Sequence, residues 1–130
     1  MRGKNSKDPY QVLIVDGLVL MAKRLSLLFT SSGFSVAGTA ANGAKGVELY
    51  KALYPNVDLV TLDITLPGID GISALGQILE FDKQAKVVMI SALGNEDVIK
   101  KCILMGAKSY IVKPLDRDKL LTKVIPILMQ

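Results

Sequence analysis

Five times along this chain a short apolar, β-branched run is followed by a longer segment whose apolar residues recur at helical spacing. The runs are Val12 to Val15, Phe34 to Thr39, Leu59 to Leu62, Val87 to Ile90 and Tyr110 to Val112. The first, third and fourth are almost continuously apolar, as strands covered on both faces must be. Between them, Leu18, Met21, Leu25 and Leu28 form one helical stripe that stops at Gly33. Val47, Tyr50 and Leu53 form a second, ended by Pro55, and Ile72, Leu75, Ile78 and Leu79 a third. Val98, Cys102 and Met105 mark a fourth helix, with Asn95 as N-cap and Gly106 as stop, and Leu121, Val124, Ile125 and Leu128 a fifth. Strands alternating with helices and joined by right-handed crossovers predict a parallel sheet with helices on both faces.

An α/β chain of five such units fits the flavodoxin-like (βα)5 three-layer sandwich, with parallel sheet order 2-1-3-4-5 and its ligand site at the carboxyl ends of strands one and three. Asp16 ends the first strand and Asp63 the third, while Ser91 ends the fourth and Lys113 the fifth. Strand placement alone therefore brings four polar groups to one edge of the sheet. An aspartate can attack phosphorus, but an anionic nucleophile needs nearby positive charge to receive a phosphoryl group. Lys113 supplies a mobile point charge, Ser91 a hydroxyl donor, and Mg²⁺ favours a site of one or two carboxylates completed by water and phosphate oxygens.

These residues stand in stretches that are specific together: Val15-Asp16, Leu62-Asp63-Ile64-Thr65-Leu66-Pro67-Gly68-Ile69-Asp70-Gly71, Ile90-Ser91-Ala92, and Tyr110-Ile111-Val112-Lys113-Pro114. In that order, at successive strand ends, they make residues 10 to 129 resemble the response-regulator receiver domains, especially the stand-alone CheY-like chemotaxis proteins. The resemblance implies Asp63 as phosphoacceptor, Lys113 as the cation bridging it and the phosphoryl group, Ser91 as the switch hydroxyl and Tyr110 as the switch aromatic. It also implies Mg²⁺ held by Asp16, Asp63 and the backbone carbonyl of Thr65, and a cis Lys113-Pro114 bond. On this reading residues 1 to 9 are a basic, flexible N-terminal tail and residues 10 to 130 the receiver domain.

One position departs from the family. Where two acids usually follow the first strand, this chain has Asp16-Gly17, so the second acid, which binds Mg²⁺ directly, is missing. At about 4 Å and an effective dielectric near 20, one charge pair is worth roughly 4 kcal/mol before desolvation and screening. The site is therefore expected to bind Mg²⁺ weakly and to take phosphate slowly, with Asp16 substituting in part.

The resemblance implies a histidine kinase as phosphodonor, a downstream protein such as a flagellar motor switch, and a phosphatase. The signal would leave through the fourth helix, fifth strand and fifth helix, where Ile99, Lys100, Lys119 and Lys123 are candidate contacts. Such a domain assists its own phosphorylation and dephosphorylation rather than turning over a substrate. A second reading, prompted by Gly17, is a phosphorylation-independent receiver-like binding module. A flavin protein of the same sheet order is disfavoured, because Asp16-Gly17-Leu18-Val19-Leu20 carries one glycine and no hydroxyl to cradle a phosphate.

The 130 residues, half of them apolar and 22% charged, fit one globular domain. The net charge of +4 is scattered over several helices, which argues against direct nucleic-acid binding. The apolar run Val12 to Met21 is broken by Asp16 and followed by Lys23 and Arg24, which argues against membrane insertion. A single cysteine, Cys102, fits a small core-facing side chain, and a reducing cytoplasm is the expected compartment.

Overall fold

The computed structural model describes residues 8–130, so the expected N-terminal tail lies, for residues 1–7, outside the described residues. The chain runs β1 (Gln11–Val15), α1 (Val19–Ser31), β2 (Ser35–Ala40), α2 (Gly43–Leu53), β3 (Leu59–Leu62), α3 (Gly71–Phe81), β4 (Val87–Ser91), α4 (Glu96–Met105), β5 (Ser109–Val112) and α5 (Arg117–Leu128). All neighbouring strands pair in parallel, in the expected order β2-β1-β3-β4-β5.

The two faces of the sheet follow from the period of two along each strand. Leu13, Val15, Val60, Leu62, Val87 and Met89 point to one side, against Val47 and Tyr50 of α2, Leu75 and Ile78 of α3 and Cys102 of α4. Val12, Ile14, Leu59, Val88, Ile90 and Ile111 point to the other, against Leu25 and Phe29 of α1 and Leu120, Val124 and Ile127 of α5. Each fully buried Leu, Ile or Val contributes roughly 2 kcal/mol, so these two layers are the main source of stability. Thr61 of β3 is buried in the sheet, and its hydroxyl has no hydrogen-bond partner among the described residues.

Four helices begin on a side-chain cap: Asn42, Asp70, Asn95 and Asp116 each accept a hydrogen bond from the backbone N–H three residues on. The first helix differs from its expected stripe. Leu18 sits at its N-cap position with 61% of its surface exposed, and the deeply buried members are Leu25 and Phe29. On α5 the core-facing set is likewise displaced from the expected one: Leu120 and Ile127 are buried with Val124 and Leu128, while Leu121 and Ile125 are half-buried. Both helices are apolar over more than one face, so spacing alone left several rotations of the stripe equally good. Gly33 and Gly106, at the ends of α1 and α4, take φ of 91° and 122°, the left-handed conformation that favours glycine after a helix. Among the described residues no helix is long and apolar enough to cross a membrane.

Candidate functional site

The ladder of backbone hydrogen bonds runs one residue past the strands, and this carries the site residues to one edge. The Asp16 N–H donates to Ala40 O at 3.0 Å, the Asp63 N–H to Val15 O at 3.0 Å, and the Lys113 N–H to Ser91 O at 2.9 Å. Residues far apart in sequence are thereby held at successive, paired strand ends.

Three of the expected residues meet. The Lys113 ammonium donates to Asp16 Oδ2 and to Asp63 Oδ2, each at 3.1 Å. All three side chains are largely withdrawn from solvent, at 11% exposure for Lys113, 1% for Asp16 and 6% for Asp63. The remaining carboxylate oxygens are held by local backbone: Asp16 Oδ1 accepts from the Leu18 N–H at 2.9 Å and Asp63 Oδ1 from the Thr65 N–H at 3.3 Å. The first of these bonds orders the entry to α1, which has no side-chain cap of its own. Burial pushes the Asp16 carboxyl above its ordinary value; the Leu18 N–H and the Lys113 ammonium pull the other way, and Asp63 adds to the rise. Two carboxylates share one cation, so the pocket is rich in negative charge before any phosphoryl group arrives.

Ser91 and Tyr110 both bond to the loop after β4 rather than to this triad. Ser91 is fully buried, and its Oγ accepts from the Leu93 N–H at 3.2 Å, with no hydrogen bond to Asp63 or Lys113 among the described residues. Tyr110 is turned inward, 8% exposed, and its hydroxyl donates to the Leu93 carbonyl. Burial raises the Tyr110 phenol above its usual value. The backbone of Leu93 is thus gripped on both sides, by Ser91 at its N–H and by Tyr110 at its carbonyl. Nothing in the sequence marks Leu93 for this, since its backbone takes part and its side chain is 44% exposed.

The glycines around the site have steric reasons. A Cβ on Gly71 would overlap the Asp63 carbonyl oxygen, so the start of α3 lies against the backbone of the nucleophile candidate. Gly68, at φ 76°, serves the turn before α3, whereas Gly71 answers a close approach. A Cβ on Gly17 would stand 3.5 Å from the Thr65 carbonyl oxygen and 3.3 Å from Pro67 Cδ. The missing second acid would therefore have entered the corner occupied by that carbonyl. Among the described residues no group of three or more potential metal-ligating side chains is assembled. The donors that are present, two carboxylates and the nearby Thr65 carbonyl, are all hard oxygen ligands of the kind Mg²⁺ accepts, with the remainder of its shell left to water.

The Lys113–Pro114 bond is cis, as is Tyr54–Pro55. Cys102 is buried in the α2–α3–α4 layer, where desolvation raises its thiol pKa. Of the expected output contacts, Lys100, Lys119 and Lys123 are exposed, whereas Ile99 is half-buried against the core. Lys119 also ties the start of α5 back to β5, its ammonium donating to the carbonyls of Val112 and Pro114 at 2.8 and 3.2 Å.

The sequence pattern of the response regulator receiver domain matches residues 12–125. A chemotaxis protein CheY of Treponema pallidum is 58% identical over 125 residues, spanning 96% of this chain and 87% of that protein. A chemotaxis protein CheY of Bacillus subtilis is 42% identical over 115 residues, spanning 88% of this chain and 94% of that one. In the crystal structure of a CheX-CheY-BeF3-Mg+2 complex from Borrelia burgdorferi, one chain is 53% identical to this one, with a TM-score of 0.92 over 94% of this chain and 91% of that chain.

Proposed function

Because the chain belongs to the response regulator receiver domain family, we propose that it is a cytoplasmic CheY-type regulator that accepts a phosphoryl group on Asp63 from a histidine kinase and passes the change to a partner protein. The observation that carries this reading is the buried Lys113 ammonium held 3.1 Å from both Asp63 and Asp16 at the carboxyl edge of the sheet. A structural ion pair needs one carboxylate per lysine; here a second is packed into the same buried corner.

In the proposed step a carboxylate oxygen of Asp63 attacks phosphorus, the bond from phosphorus to the donor nitrogen breaks, and the imidazole leaves with the electron pair. The aspartyl phosphate that forms is an acyl phosphate. Lys113 keeps a positive charge beside the oxygen that becomes bridging and beside the incoming anion. Asp16, Asp63 and the Thr65 carbonyl would hold Mg²⁺, which when bound offsets the charge of the phosphoryl oxygens. The Mg²⁺ in the complex of the Borrelia burgdorferi relative supports Mg²⁺ as the metal.

Output follows from the grip on Leu93. If the Ser91 hydroxyl leaves the Leu93 N–H to donate to a phosphoryl oxygen, one of the two bonds that position the Leu93 backbone changes, and Tyr110, bonded to the carbonyl of the same residue, feels it. The partner, a flagellar motor switch or another protein, would read the surface of α4, β5 and α5, and a phosphatase would reset the state. Replacing Tyr110 with alanine is expected to leave acyl-phosphate formation within about twofold of native while removing the donor dependence of partner binding. Partner titrations with and without phosphodonor test this, and undiminished coupling in the variant would take Tyr110 out of the pathway.

Gly17 bears on the metal. Introducing the absent carboxylate by Gly17→Asp is expected to raise Mg²⁺ affinity on the order of tenfold, equivalent to about 1.4 kcal/mol, because the new side chain enters beside the Thr65 carbonyl. The deciding experiment incubates the native chain and this variant with acetyl phosphate across a Mg²⁺ titration. Hydroxylamine-labile phosphate is then counted, and its position mapped by mass spectrometry. Equal Mg²⁺ requirements in the two proteins would remove the weakened-metal reading, and absence of acyl phosphate from both at saturating Mg²⁺ would remove the phosphoacceptor reading.

The second reading, a phosphorylation-independent binding module, draws on the same Gly17 and on a Tyr110 that is already inward. Partner affinity that is high without any phosphodonor, and unchanged by one, would favour it.

A further inference from the structure

At the opposite edge of the sheet, one strand length of about 15 Å from Asp63, lies a cavity of about 390 Å³ that the receiver chemistry does not use. It falls in the size range of small-ligand sites. Tyr10, Tyr50 and Tyr54 line it together with Asp58, Asp82 and Lys86, residues drawn from the amino ends of β1, β3 and β4 and from the end of α2.

The chemistry of this lining is specific. The rings of Tyr50 and Tyr54 stand 6.5 Å apart at 56°, and Tyr54 packs edge-on against Phe81 at 5.3 Å, which holds its partly exposed ring in place. Tyr50 is buried and donates its hydroxyl to Asp82 Oδ2 at 2.7 Å, while the Gln84 N–H donates to Asp82 Oδ1 at 3.0 Å. Asp82 is thereby fixed in orientation. Asp58 Oδ2 accepts from the Gln11 N–H at 2.8 Å, and its Oδ1 accepts no hydrogen bond among the described residues. Lys86 forms no ion pair with either acid among the described residues. Two carboxylates against one ammonium leave the lining one negative charge in excess.

We propose that this cavity is a binding site for a guanidinium group, stacked on the partly exposed Tyr54 ring and paired with the carboxylates of Asp58 and Asp82. A planar, weakly hydrated cation suits both features: its face matches an aromatic ring, and its parallel N–H donors match a carboxylate held in a fixed orientation. A compact ammonium ion uses the charge but not the plane. The assignment is independent of phosphorylation, since no lining residue belongs to the Asp16–Asp63–Lys113 cluster.

The same chemistry reaches the site either as a free small molecule or as an arginine side chain of a partner peptide, and the probes separate the two. Agmatine and a Gly-Arg-Gly peptide, blocked at both ends, are each titrated into the full ¹⁵N-labelled chain, with butylammonium as the control. Saturable shifts are expected at the amides of Tyr54, Asp58 and Lys86 and not at Asp63 or Lys113. Tyr54→Ala and Asp82→Asn are each expected to weaken binding about fivefold, with Tyr54→Phe close to native. Tighter binding of agmatine than of the peptide points to a small-molecule ligand, and the reverse to a protein partner. No saturable shift with either probe, affinity unchanged by both weakening variants, or equal binding of butylammonium would overturn the proposal.

Discussion

Replacing Lys113 with methionine is expected to lower the stability of the domain by about 3 kcal/mol at neutral pH, and to lose most of that penalty in acid. Methionine keeps an unbranched stem of similar length, so packing changes little, but the only cation within 4 Å of Asp16 and Asp63 among the described residues is gone. Two buried carboxylates then face each other uncompensated. The folded-state pKa of Asp16, already raised by burial, moves further above its unfolded value, so the folded variant binds a proton there more tightly than the unfolded chain does. For such a group stability is fully present below the unfolded pKa and is lost as pH rises through the folded one. Asp16 is already on the raised side in the native chain because of its burial, and losing the lysine drives it further. Urea unfolding of both proteins at about pH 7 and about pH 4 reads this directly. A deficit of the same size at both values would mean that the lysine contributes through its aliphatic stem and not its charge.

Asp63→Asn is expected to have the opposite structural effect and the largest functional one. The substitution takes the cluster from two carboxylates and one ammonium to one of each, which removes a like-charge repulsion in a buried corner. The asparagine amide oxygen can still accept from Lys113. Stability at neutral pH is therefore expected to stay within about 1 kcal/mol of native or to rise, while donor-derived acyl phosphate falls to background. An amide nitrogen and its carbonyl are poor nucleophiles toward phosphorus. Retained hydroxylamine-labile phosphate in this variant would place the acceptor elsewhere. The pair of substitutions is informative together: one charge removed from the same pocket destabilises when it is positive and does not when it is negative.

Much of the candidate site was legible before any coordinates. Asp16, Asp63, Ser91 and Lys113 each follow an apolar run that reads as a strand, and a parallel sheet of this order puts those ends at one edge. The absence of the second acid was equally plain, since Gly17 directly follows Asp16. The consequences of Gly71 were not legible, because a glycine before a helix reads as a turn whether or not a neighbouring carbonyl forbids a Cβ. On α1 and α5 most of the expected stripe does face the core, Met21, Leu25 and Leu28 on the first and Leu121, Val124 and Leu128 on the second, but Phe29, Leu120 and Ile127 were not legible as core for a similar reason. Val19, Leu20 and Leu27 on α1 are as apolar as Phe29 yet exposed, and only contact with the sheet distinguishes them.

What the sequence determined by itself was the set of elements, their order, the sheet topology and the edge at which the polar residues gather. These follow from periodicities of two and 3.6 and from the handedness of crossovers, which act over a few residues or a single βαβ unit. What the tertiary structure decided was the pairing within that edge: that Lys113 is shared between both acids, that Ser91 engages the Leu93 peptide, and that Tyr110 closes on the other side of it. It also placed a cavity of about 390 Å³ at the far edge of the sheet, lined by residues from four separate segments. Such contacts are set by distances of a few ångströms between groups far apart in the chain, and no local pattern encodes a distance of that kind.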